Sequence, residues 1–175
     1  MRWRGAYRTL PGMMLPELAK QLIDMLAARS QTVTVAESCT GGGVGYALTS
    51  VSGSSACFHQ GFITYSDAAK TRLLNVDPLI LAQFGAVSEQ TVKAMAAGAA
   101  HAAGSDYAIA VSGVAGPGGG SKDKPVGTVW IAWHDVLGEE IAKQYVFDGD
   151  REAVRQSAIQ AAIEGLLSLI QKNTV

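Results

Sequence analysis

Apolar residues fall into two periods along this chain, and the switching between them sets out its elements. Leu15, Leu18, Ala19, Leu22, Ile23 and Leu26 recur at helical spacing, with Pro16 in a first turn that tolerates it. Thr32 to Ala36 alternates β-branched with smaller residues, as a short buried strand does. Gly41, Gly42 and Gly43 then open a helix that ends near Ser50, and Val51 to Ser55 reads as a loop. Cys57 to Tyr65 is rich in strand formers, with Gly61 at a bulge. Ser66-Asp67 supplies an N-cap for a helix carrying Ala68, Ala69, Lys70, Leu73 and Leu74.

A short helix starts at Asp77-Pro78, and Ser88 caps a long alanine-rich helix through His101, with Gly104 just past its end. Tyr107 to Val111 is a second buried strand, running into the small-residue loop 112–120. Two strands at 126–134 and 140–147 follow, joined by a hairpin at Leu137-Gly138. A final amphipathic helix carries Val154, Ala158, Ala161, Ile163, Leu166, Leu167 and Ile170. This order predicts a single layered α/β/α domain with a mixed, mostly parallel sheet over residues 15–175, after a tail at 1–14. If the strands ending at Ala36 and Val111 are parallel neighbours, the loops 37–43 and 112–120 share one crevice at their carboxyl ends.

Composition narrows the partners. In 175 residues, 48% are hydrophobic and 17% charged, which excludes a disordered chain and leaves a core large enough for one domain. A net charge of −1, with no run of Lys or Arg, argues against nucleic acid and for a small molecule. No apolar run reaches membrane-spanning length, and the basic start Met1 to Arg8 lacks the apolar core of a signal peptide. Cys39 and Cys57 are too few for a disulfide scaffold and lack metal-type spacing, which fits a reducing cytoplasm. So apolar a chain with so little charge is expected to form a homo-oligomer.

The chemistry concentrates where the first buried strand passes through Glu37, Ser38, Cys39 and Thr40 into glycines. Such a strand-to-helix turn can expose a serine as a nucleophile and offer backbone N–H groups to an anion. Ser38 needs a base, and His59, His101 and His134 are badly placed to supply one. Lys70 is the alternative, standing with Tyr65 on either side of the Ser66-Asp67 junction; it acts as a base only if burial or positive charge lowers its pKa. Cys39 is a rival nucleophile, or a packing residue. Glu37 would bind a ribose hydroxyl, orient Lys70, or cap backbone N–H groups. Thr40 with neighbouring N–H groups would capture phosphate, and Arg151 and Arg155 would add a guanidinium or form a solvated face. Neither a complete G-x-G-x-x-G nor a Walker sequence occurs, so dinucleotide and ATP roles are weakly supported.

Six blocks in order resemble one family: Ala36 to Gly42, Gly61 to Lys70, Gly85 to Glu89, Ser112 to Pro117, Lys124 to Val129 and Gly149 to Arg151. It is the CinA C-terminal domain family, which includes stand-alone nicotinamide-nucleotide amidases, and the likeness spans residues 15–171. The resemblance implies hydrolysis of the carboxamide of nicotinamide mononucleotide, by a serine with a tyrosine and a lysine and no metal or other cofactor. Carried over residue by residue, those are Ser38, Tyr65 and Lys70. The larger family members have an additional N-terminal domain, so the resemblance leads one to expect the stand-alone form here. In the implied site, Ser38 attacks and its proton passes to Lys70 directly or through Tyr65. N–H groups at Thr40, Gly41 and Gly42, or at Gly113 to Ala115, hold the oxyanion, while Glu37, Thr40, Ser112 and Arg151 line the nucleotide. The alternatives are a hydrolase of another small amide or ester, and a catalytically silent nucleotide-binding protein.

Overall fold

One five-stranded sheet forms the centre of the chain, in the order β2-β1-β3-β4-β5. The structure, a computed structural model, describes residues 12–173; most of the expected tail at 1–14 lies outside them. The strands are β1 (Val33–Glu37), β2 (Phe62–Ile63), β3 (Tyr107–Gly113), β4 (Thr128–Asp135) and β5 (Glu140–Val146). β1 pairs in parallel with β2 and β3, whereas β3, β4 and β5 are antiparallel. The sheet is therefore mixed as predicted, and β1 and β3 are the parallel neighbours on which the shared crevice depends.

Among the described residues, six helices cover its two faces. α1 (Leu15–Ala28), α2 (Gly43–Thr49) and α6 (Arg151–Lys172) pack on one side. α3 (Asp67–Leu74), α4 (Pro78–Phe84) and α5 (Glu89–Ala103) lie on the other. The alternation of side chains along β3 makes both cores. Tyr107, Ile109 and Val111 meet the large residues Leu22, Leu26, Ile163 and Leu166, while Ala108 and Ala110 face Ala96, Ala99 and Ala100 of α5. Each fully buried Leu or Ile contributes about 1.5–3 kcal/mol, so the first face carries most of the hydrophobic stabilisation. The second trades bulk for close approach: a methyl on Gly98 of α5 would run into the Leu74 carbonyl oxygen of α3.

Local chemistry sets the helix ends. The Ser66 hydroxyl accepts from the Ala69 N–H at 3.1 Å, Ser88 from Thr91 at 3.2 Å, and the Asp150 carboxylate from Ala153 at 2.9 Å. Gly104, at φ 62°, ends α5 in the left-handed conformation that glycine adopts without strain.

The strand predicted over 57–65 shrinks to Phe62–Ile63. A 3-10 turn at Ser54–Ala56 delivers the chain to the sheet edge, where it touches β1 only through single bonds. Val33 N–H donates to the Cys57 carbonyl and the Thr34 hydroxyl to that of Gln60. Residues 58–61 thus lie beside β1 without a continuous ladder. Gly61 presses against Val35, where a methyl would collide with the valine side chain.

Candidate active site

The pleat of β1 sends consecutive residues to opposite faces, and this divides Glu37 from Ser38. Val33 and Val35 face α1, α2 and α6, and Glu37 follows them to that side. There its buried carboxylate caps α2. One oxygen accepts from the Thr40 hydroxyl at 2.6 Å and from the N–H groups of Gly42 and Val44 at 3.1 and 3.0 Å. The other accepts from the Gly45 N–H at 2.8 Å. A carboxylate at a helix N-terminus complements its unpaired N–H groups and its dipole.

This cap is one of the three readings open for Glu37, and it corrects the expectations for Thr40 and the glycines. Glu37 and Thr40 turn inward, with their polar atoms spent on each other and on the turn, so neither side chain faces a nucleotide. Gly42 N–H is taken by Glu37, and Gly41 and Gly43 donate to the carbonyls of Ser38 and Thr40. The glycines shape the turn, two of them at positive φ (57° for Gly41 and 100° for Gly42), and do not form an open anion cradle.

Ser38 goes to the α3 side, where Lys70 waits. The lysine is 1% exposed and the serine 8%. Lys70 Nζ lies 3.2 Å from Ser38 Oγ, 2.8 Å from the Thr64 carbonyl oxygen and 3.5 Å from that of Tyr65. A neutral amine has two N–H donors and one lone pair. As an ammonium, Lys70 donates to Ser38 Oγ and to both carbonyls; once it has lost one proton, its two remaining N–H groups match the carbonyls and its lone pair falls to the Ser38 hydroxyl. Burial lowers the Lys70 pKa below its ordinary value, partly offset by the carboxylate of Asp67 and by Cys39. Desolvation thus favours the form that can take a proton. The Thr64 carbonyl was invisible to a reading of side chains, since any residue there would present one.

Tyr65 lies at the mouth and is 62% exposed. Its hydroxyl accepts from Arg151 Nη2 at 3.1 Å, while Arg151 Nη1 donates to the Gly116 carbonyl at 2.8 Å. The phenol is therefore bonded to Arg151, and the Ser38 hydroxyl meets Lys70 directly. Ser112 sits at the end of β3, one residue beyond Val111, whose carbonyl accepts from the Ser38 N–H at 2.9 Å. Gly113 and Ala115 continue into the loop; the intervening Val114 N–H is spent on Thr128. Beside them a cavity of about 620 Å³ is lined by Ala115, Pro117, Val126, Asp150 and Arg151.

Cys39 packs into the core on the α6 side, away from Ser38. Burial pushes its pKa up to about 11, so the thiol stays protonated near neutral pH and is a poor nucleophile. Among the described residues the Ser38 hydroxyl bonds to Lys70 and to no histidine. His59 and His101 are exposed, and His134 faces Glu140 on the β4–β5 hairpin. No three His, Cys, Asp or Glu side chains among the described residues form a cluster that could hold a metal ion.

Known proteins resemble this chain in sequence and fold. A family model described as the CinA C-terminal domain matches residues 15–170. Nicotinamide-nucleotide amidohydrolase PncC of Escherichia coli (strain K12) is 50% identical over 160 residues, covering 91% of this chain and 97% of that protein. The protein of the same name from Pseudomonas putida is 54% identical over 153 residues, 87% of this chain and 94% of its own. The crystal structure of competence/damage inducible protein CihA from Agrobacterium tumefaciens superimposes with a TM-score of 0.88 at 40% identity, covering 92% of this chain and 98% of that one.

Proposed function

The chain belongs to the CinA C-terminal domain family, and we propose that it is a nicotinamide-nucleotide amidohydrolase, converting nicotinamide mononucleotide and water to nicotinic acid mononucleotide and ammonia. The names of relatives at 50% and 54% identity support the activity. The observation that carries the mechanism is the 3.2 Å contact between Lys70 Nζ and Ser38 Oγ, made by a buried amine.

Ser38 Oγ attacks the carboxamide carbon as its proton moves to neutral Lys70. The tetrahedral intermediate collapses when the Lys70 ammonium returns that proton to the departing nitrogen, releasing ammonia and leaving an ester on Ser38. Water then attacks the ester, Lys70 takes its proton, and the serine leaves with that proton restored. The N–H groups of Gly41, Gly42 and Gly43 are spent, so the oxyanion falls to the N–H groups of Cys39 and Thr40, next after the nucleophile, and to the loop after β3. One such donor is worth about 2.7–4 kcal/mol in comparable sites.

Arg151 is exposed, lines the cavity and is the group best placed for the phosphate, with Tyr65 beside it; Ser112 is 1% exposed and does not line the cavity, so the geometry lends no support to the nucleotide contact expected of it. The cavity falls within the range of about 300–1,000 Å³ typical of small-molecule sites. The cytoplasm suits the two buried free thiols, Cys39 and Cys57. Nucleic acid and membranes have no part in this reading. Exposed Tyr46, Leu79 and Leu137 support a homo-oligomer, against which a scattering mass of 18.2 kDa would count.

Incubation with nicotinamide mononucleotide tests the activity: ammonia and nicotinic acid mononucleotide are expected in equal amounts. Ser38→Ala should fall below about one thousandth of the parental rate. Binding without turnover would point to a silent nucleotide-binding protein, and neither binding nor turnover to a hydrolase of another substrate.

A further inference from the structure

Arg155 follows Arg151 by four residues on α6, so the two project from one face of the helix. Arg155 Nε donates to the Cys39 carbonyl at 3.2 Å and Nη2 to the Thr40 carbonyl at 3.3 Å, while Nη1 pairs with Glu152 at 3.0 Å. All three nitrogens therefore have acceptors inside the protein. The planar fork spans the two carbonyls that directly follow the Ser38 residue and fixes two peptide planes at once. From the other side, Glu37 holds the N–H groups of Gly42, Val44 and Gly45. The turn is thus gripped through its carbonyls from α6 and through its N–H groups from β1.

We infer that Arg155 is a positioning residue for Ser38: it fixes the Cys39 and Thr40 peptides so that the serine hydroxyl stays on the Lys70 amine, without itself touching the nucleotide. This rests on the reading of Ser38 as nucleophile and goes beyond it, because it gives a guanidinium 116 residues from Cys39 a role in the chemical step. It also separates the two arginines by task. Arg151 keeps an exposed face toward the cavity, and Arg155 is committed to the turn.

The test compares parental enzyme, Arg155→Met and Arg155→Lys by turnover of nicotinamide mononucleotide and by the rate at which a simple alkyl fluorophosphonate phosphonylates Ser38, with fluoride as the leaving group. The probe carries no nucleotide, so it reports the reactivity of the hydroxyl alone. Displacement of the turn by an ångström would lower both kcat and labelling in parallel by about 10- to 100-fold in Arg155→Met. KM should stay within about twofold, since no contact with substrate is lost. Arg155→Lys should fall between the two, because one ammonium reaches one carbonyl where the fork reaches two. In Arg155→Ala, added guanidinium ion should restore part of both rates, which a merely misfolded variant would not show.

A raised KM with kcat and labelling unchanged would overturn the inference and make Arg155 a phosphate ligand. Unchanged turnover and labelling would overturn it outright. Failure of the parental enzyme to be labelled at Ser38 would instead remove the nucleophile reading, and the inference with it.

Discussion

Lys70 Nζ meets Ser38 Oγ at 3.2 Å across 32 residues of chain. The contact exists because two chain segments deliver their groups to the same side of the sheet. β1 ends so that Ser38 follows Ala36 toward α3, and the Ser66 cap starts α3 so that Lys70 points back at the strand ends. Thr64 N–H donates to the Glu37 carbonyl at 2.8 Å, which ties the two segments together beside the contact. The amine then has the Thr64 and Tyr65 carbonyls as acceptors and the hydroxyl as its remaining partner.

Glu37→Gln tests the cap beneath the nucleophile. An amide has one oxygen where the carboxylate has two, so its NH₂ group must face an N–H donor that Glu37 now satisfies. Urea denaturation should show a loss of about 1–3 kcal/mol. An unchanged midpoint would mean that the four bonds to Glu37 contribute nothing net.

Cys39→Ala separates the two candidate nucleophiles. The thiol is buried on the α6 side and its pKa is raised to about 11, so the variant should keep turnover within about threefold while losing about 1 kcal/mol of stability to the small cavity. Iodoacetamide at neutral pH should leave the parental thiol unmodified. Loss of turnover comparable to that of Ser38→Ala, with the variant folded, would reverse the assignment.

Gly98→Ala links packing to chemistry. The added methyl meets the Leu74 carbonyl of α3, so either α5 or α3 must shift. Overpacking of this kind costs about 1–3 kcal/mol, a fall in Tm of about 2–12 °C for a chain of this size. Because α3 carries Lys70, turnover measured well below Tm should fall as well. A lowered Tm with parental turnover would show that the Ser38–Lys70 contact tolerates movement of the helix.

The helices and the two central strands were legible because their apolar residues repeat at clear periods, and their caps at Ser66, Ser88 and Gly104 are local chemistry. The edge strand was not. Cys57 to Tyr65 has the composition of a strand, but whether it forms a ladder depends on how close Gly61 brings it to Val35. In the site, Ser38, Tyr65, Lys70 and Arg151, and a transfer from Ser38 to Lys70, follow from the resemblance, but the Tyr65–Arg151 bond and the Thr64 carbonyl behind the amine do not. The pleat decides that Glu37 faces α2 and Ser38 faces α3; the sequence shows only two polar neighbours. The cap was one of three readings open for Glu37, and the signal that favours it, an acidic residue ending a strand just before a glycine-opened helix, was not used to rank them. Arg155 gave no such signal, because its partners are backbone carbonyls far away in the chain.

The most direct measurement of the account is the pH dependence of kcat/KM for nicotinamide mononucleotide, which reports the free enzyme's essential base. Lys70 must be neutral to accept the Ser38 proton, and burial lowers its pKa from the ordinary 10.5, so the neutral fraction rises with pH and reaches a plateau earlier than for an exposed lysine. The expected profile climbs on its acid side with a midpoint below 10.5, and that limb disappears along with most of the activity in Lys70→Met. A profile that shows no such limb, or a Lys70→Met variant that turns over at the parental rate with the parental profile, would contradict a lysine base at Ser38.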